Sequence, residues 1–215
     1  MSIDLNATGA ARIMVSNSTW GVAVAAMRKM YAEMLPEMRS RHHTELVGEL
    51  AESAEAISGL SADTEGYPFA LSYSVYAPNY AAKNGDALTL VVPGLGGTFL
   101  PSGESDRKSP FGIGRRLTPS VYLREVVFPE GYTEIEYLPE PWEIALPGSS
   151  GARVRFSAEK SVVEGRLKIT FREEHFPGEA RMFTKDWLGF FRDWNRRTGS
   201  RLARTIVVRR AGHDR

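Results

Sequence analysis

Hydrophobic positions change period along the chain, and the changes divide it into segments. Residues 3–15 alternate loosely between apolar and polar around Ala7-Thr8-Gly9, which predicts two short strands and a tight turn. From Gly21 the period lengthens. Met27, Met30, Tyr31 and Met34 fall at i, i+3, i+4 and i+7, one stripe of a helix. Pro36 ends that helix or opens the next at its first turn. Leu46, Leu50, Ala54 and Ile57 continue the stripe toward Gly59, so a helical pair is expected over 21–58. At Tyr67 the period drops to two, with Phe69, Leu71, Tyr73 and Val75 alternating with small or polar residues. Asp86 to Val92 follows the turn pair Asn84-Gly85 as another strand.

Residues 93–119 are rich in Gly, Pro and Ser and lack a period, which predicts a long loop. Beyond it, strands are expected at 120–128, 132–138, 152–158 and 166–173. Pro129-Glu130-Gly131, Pro139-Glu140-Pro141 and Pro147-Gly148 separate them. A helix fits 184–197, with Thr184 as N-cap and Trp187, Phe190, Phe191 and Trp194 turned inward. Arg204 to Arg209 closes the chain as a strand. Short strands in succession argue for antiparallel sheets rather than βαβ units. The fold class expected is mainly β or α+β: an antiparallel β-sandwich over 66–210, preceded by the strand pair 3–15, with the helical pair inserted and a late C-terminal helix. All of it is read as a single domain over 1–215.

Composition narrows the function classes. A chain of 215 residues buries about 70% of its unfolded surface and needs no staples. With 27 basic and 26 acidic residues the net charge is +1, so nothing draws the whole molecule to nucleic acid. The absence of cysteine excludes a thiol nucleophile, a disulfide and a thiolate metal site within this chain. Met1 to Leu5 lack the pattern of a signal peptide, and no apolar run reaches the length of a membrane span.

Local motifs give little catalytic chemistry. Gly94-Leu95-Gly96-Gly97 follows an apolar strand, but Phe99 stands where the third glycine of a dinucleotide turn belongs, and Pro101 blocks the helix such a turn needs. Ser105 to Lys108 and Ser157 to Lys160 match Ser-x-x-Lys outside any helical pattern. His42 and His43 are adjacent on a helix and face apart. His175 with Glu173 or Glu174 could begin a metal site, yet a solvated, charged strand edge is the favoured reading. Tyr67, Phe69, Tyr73, Tyr76 and Tyr80 form either a core or a stacking face for sugar or peptide. Arg192, Arg196, Arg197, Arg201 and Arg204 make a basic run, read as a solvated helix face or a patch toward a partner domain. The loop carries the candidate interaction residues Phe99, Arg107, Lys108, Phe111, Arg115 and Arg116, apolar groups among cations in a glycine-rich segment suited to docking. No catalytic, cofactor-binding or metal residue is assigned.

The second half carries a resemblance. Ser109-Pro110-Phe111, Arg116, Pro119, the run Phe128-Pro129-Glu130-Gly131-Tyr132 and Leu138-Pro139-Glu140 resemble a β-rich domain of unknown function that follows the papain-like core in bacterial transglutaminase-like proteins. Gly9, and Gly21 with Arg28 opening a helical pair, are similar to the segment just after that core, so the resemblance covers roughly 3–210. It implies a non-catalytic accessory domain whose partner is the upstream catalytic domain of the same parent chain. It also implies a periplasmic or cell-envelope setting for that parent. The family's catalytic Cys, His and Asp belong to the core, so no catalytic role passes to any residue here. The alternative function is a glycan- or peptide-binding β-sandwich module.

Overall fold

The computed structural model describes residues 1–94, 119–145, 151, 153–176 and 192–212. β1 (Ser2–Leu5) and β2 (Ala11–Thr19) form the opening hairpin, and α1 (Ala23–Glu33) and α2 (Pro36–Leu50) follow. Next come β3 (Glu55–Ala56), β4 (Ser61–Asp63), β5 (Phe69–Ala77), β6 (Ala82–Asn84) and β7 (Ala87–Val91). The later strands are β8 (Ser120–Val127), β9 (Tyr132–Tyr137), β10 (Trp142–Ala145), β11 (Arg153–Val163), β12 (Arg166–Phe176) and β13 (Thr205–Arg210). A helix α3, described over 192–198, precedes β13.

Two sheets form. The larger has nine strands in the order β10-β11-β12-β8-β1-β2-β5-β3, with β4 also on β5; the smaller runs β6-β7-β13-β9. Register explains why the large sheet holds. Ile169 faces Val126, Val126 faces Ile3, Ile3 faces Ile13 and Ile13 faces Val75, so one row of β-branched residues crosses five strands. All five are fully buried, each contributing about 1.5–3 kcal/mol by its removal from water. Onto this row the small sheet lays Leu88 opposite Val208 and Leu90 opposite Ile206, and the two sheets share one core.

Helices cover what the small sheet leaves open. Val24 and Tyr31 of α1 pack on Phe69 and Leu71 of β5, with the Tyr31 and Phe69 rings 5.4 Å apart. Val47 of α2 joins the main core. At the other end Trp194 of α3 meets Trp142 edge-on at 5.8 Å, Trp142 stacks on Phe156 at 5.6 Å, and Phe156 stacks on Phe171 at 5.9 Å.

The mainly β, two-sheet architecture with an early helical pair and a late helix matches the fold class read from the sequence. Several particulars differ. The strand pair 3–15 lies in the middle of the large sheet, and β1 pairs in parallel with β8, so that sheet is mixed. The second helix stops at Leu50, because Ala51 is extended (φ −163°, ψ 146°) and Glu55–Ala56 pairs with β5 instead. Ala54 still packs on the core, so its apolar position serves a different element. Finally, β10 forms over Trp142–Ala145, directly after Pro141, a stretch to which the sequence reading assigned no element.

Candidate functional site

The inner face of the large sheet changes character along β12 and β8. Leu167, Ile169 and Phe171 are buried in turn, and the next two inward positions are Glu173 and His175. On β8 the same face passes from Val126 to Arg124, Tyr122 and Ser120. Antiparallel register sets Phe171 opposite Arg124, Glu173 opposite Tyr122 and His175 opposite Ser120. Alternation therefore persists to the end of the sheet, but the residues it buries become polar and charged.

Arg124 is only 6% exposed. Its Nε donates to the Pro93 carbonyl at 2.9 Å and its Nη2 donates to the Gly94 carbonyl. Gly94 has φ +64°, and a side chain there would press on the guanidinium, so glycine suits the position twice over. The third nitrogen, Nη1, is buried and has no hydrogen-bond partner. A buried donor left so costs about 1–3 kcal/mol. Burial pulls the guanidinium below its usual pKa, while Glu173 and then Tyr122 act in the opposite sense.

Glu173, also 6% exposed, accepts or shares a proton with His175 Nε2 through Oε1 at 2.7 Å. Tyr122 sets its ring edge-on to His175 at 5.4 Å and lies 5.4 Å from the Arg124 guanidinium carbon. The floor of the cluster is thus a buried cation and a buried carboxylate, and its rim is a half-exposed tyrosine and a partly exposed histidine. A hydroxyl, an imidazole and a carboxylate share this face, but no hydrogen bond joins Ser120 to His175, so the nucleophile–base contact of acyl transfer is not made here.

This corrects the sequence reading of His175, Glu173 and Glu174 as a solvated strand edge. β12 is an interior strand between β11 and β8. Only Glu174 faces the other way, where it accepts from Arg172 at 2.7 Å. Among the described residues, no group of three or more His, Asp or Glu is placed to hold a metal ion. His42 Nε2 lies 3.0 Å from the Tyr31 hydroxyl, whereas His43 sits edge-on to Tyr73, so the two histidines go to different partners.

Other candidates fall variously. Phe99, Arg107, Lys108, Phe111, Arg115 and Arg116 lie outside the described residues, as do Trp187, Phe190 and Phe191. Ser157 and Lys160 are on β11, where a spacing of three turns them to opposite faces. The tyrosine-rich segment divides: Phe69 and Tyr73 are core, while Tyr67 and Tyr76 are exposed. In the basic run, Arg197 donates to Asp193 at 3.1 Å and Arg196 pairs with the same carboxylate, forming the ordinary charged face of a helix. Among the described residues, no helix is long and apolar enough to cross a membrane.

No family model matches the chain, and no curated protein and no solved structure is similar to it at a significant level.

Proposed function

We propose that the chain is a non-catalytic accessory domain of a transglutaminase-like protein, positioning the neighbouring catalytic core or its substrate. The observation that supports this reading is the hold of Arg124 on the Pro93 and Gly94 carbonyls. That contact ties the root of the segment carrying Phe99, Arg107, Lys108, Phe111, Arg115 and Arg116 to an interior strand of the large sheet. A docking segment rooted in a rigid sheet transmits position, which is what an accessory domain supplies. The transglutaminase-like neighbour itself rests on the resemblance alone.

Backbone amide exchange tests the proposal, measured on this chain alone and on a longer protein that includes a papain-like core. Slower exchange across 93–119 in the longer protein is expected; equally fast exchange in both returns the segment to a simple connector. Purified alone, the chain is expected to show no amidase, transglutaminase or peptidase turnover. Activity that survives chelation and repurification overturns the non-catalytic reading.

A second reading, a peptide-binding module, is favoured by one observation. The half-exposed Tyr122, edge-on to the partly exposed His175, lies beside a buried arginine with an unsatisfied donor.

A further inference from the structure

We infer that Arg124 Nη1 receives the carbonyl oxygen of a peptide bound against Tyr122 and His175. The inference deepens the peptide-binding reading and rests on it. Two of the three guanidinium nitrogens are fixed by backbone carbonyls of the chain itself, and the third is a buried donor without an acceptor. Buried donors in folded proteins find acceptors, so the arrangement calls for an incoming oxygen.

The charge of the surroundings decides what carries that oxygen. Glu173 is buried beside Arg124 and already opposes its charge. A second carboxylate brought to the same place meets that negative charge at low dielectric, which is unfavourable. A neutral acceptor meets no such penalty, and the amide carbonyl is the strong neutral acceptor of peptides.

The rim suits the same ligand. The Tyr122 ring, 45% exposed, lies 5.4 Å from the guanidinium carbon, an aromatic face open to solvent beside the buried cation. The His175 ring beside it is held on Glu173. Two flat rings at an angle, one of them beside the guanidinium, fit a planar amide that stacks on an aromatic face while its oxygen points inward. The requirement is a carbonyl with a flat flank and no charge, which a backbone peptide group or a side-chain carboxamide meets.

The test uses the isolated chain and a capped dipeptide, N-acetyl-alanine N-methylamide, followed by NMR of the Tyr122 and His175 ring protons. Saturable shifts in the millimolar range are expected, with acetate at equal concentration giving none. Tyr122→Ala should weaken binding about five-fold through loss of stacking. Arg124→Lys, which keeps the charge facing Glu173 but loses the planar fork, should remove saturation. If that variant fails to fold, the Tyr122→Ala comparison and the acetate control carry the test. The inference is overturned if the capped dipeptide gives no saturable shift, if Tyr122→Ala binds as tightly as the parent chain, or if acetate saturates in its place. These outcomes concern the chain alone. Failure here leaves the exchange test on the longer protein intact, and failure there leaves this one intact.

Discussion

Across its middle the inner face of the large sheet is a row of isoleucines and valines; one end of the same face is Tyr122, Arg124, Glu173 and His175. Both regions sit on neighbouring positions of the same strands, and both are buried at their centre. The middle gains by transfer from water and needs only shape and apolarity. The end must satisfy every polar group it buries, and one nitrogen of Arg124 is left over. Identical backbone geometry thus supports an apolar region and a charged one, and side-chain chemistry alone separates them.

The largest test of this contrast lies between the regions. Trp194 covers the Trp142–Phe156 stack, which shares its row with Glu173. Trp194→Ala is expected to cost about 3–5 kcal/mol in urea unfolding, as large buried aromatics do. A loss under about 1 kcal/mol would mean that the polar end does not lean on that stack. In the middle, Ile13→Ala at the fully buried row should cost about 2–5 kcal/mol, and the apo and peptide-saturated chains should lose the same amount. At the polar end, Glu173→Gln should cost about 1–3 kcal/mol by removing the charge opposite Arg124. If that change stabilised the fold, the charges would be a burden tolerated for binding, and the contrast would sharpen.

Legibility in the sequence differed between the regions for a physical reason. Period-two alternation at Phe69, Leu71, Tyr73 and Val75 reports burial directly, and those four residues are buried. The same alternation runs through Leu167, Ile169, Phe171, Glu173 and His175, so the signal for the polar end was present in the chain. Whether a strand lies at an edge or inside a sheet depends on partners far away, and no local pattern carries that. β12 became an interior strand only through β8 and β11. Ala54 shows the converse, since an apolar residue that packs on the core fits a helical stripe without being in a helix.

The smallest expected effect lies outside both regions, at the turn after β4. Asp63 accepts backbone N–H bonds from Gly66 at 2.7 Å and Glu65 at 3.0 Å, and those bonds hold its carboxyl below the usual aspartate range. Its stabilising contribution is therefore complete above the ordinary aspartate pKa and fades as pH falls through the depressed value. NMR titration should place its midpoint below that of an unstructured aspartate, and Asp63→Asn should flatten acid unfolding slightly. A midpoint at or above the unstructured value would show that the turn does not form in solution.

The parallel pairing of β1 with β8 has a consequence in time. The Met1 amino group donates to the Leu123 carbonyl across 122 positions of sequence. A chain emerging from the ribosome can close the β1–β2 hairpin at once, but the other edge of β1 has no partner until residues 120–127 are made. Contacts of such long range form slowly, and open strand edges invite pairing with other chains meanwhile. Folding is therefore expected to have an early phase that joins β1, β2 and β5, and a later one that brings β8, β12, β11 and β10 as a block. In pulsed hydrogen exchange, amides of β2 paired with β5 should gain protection before those of β12. β1 precedes every other strand described here in the sequence, yet it is among the last to be completed.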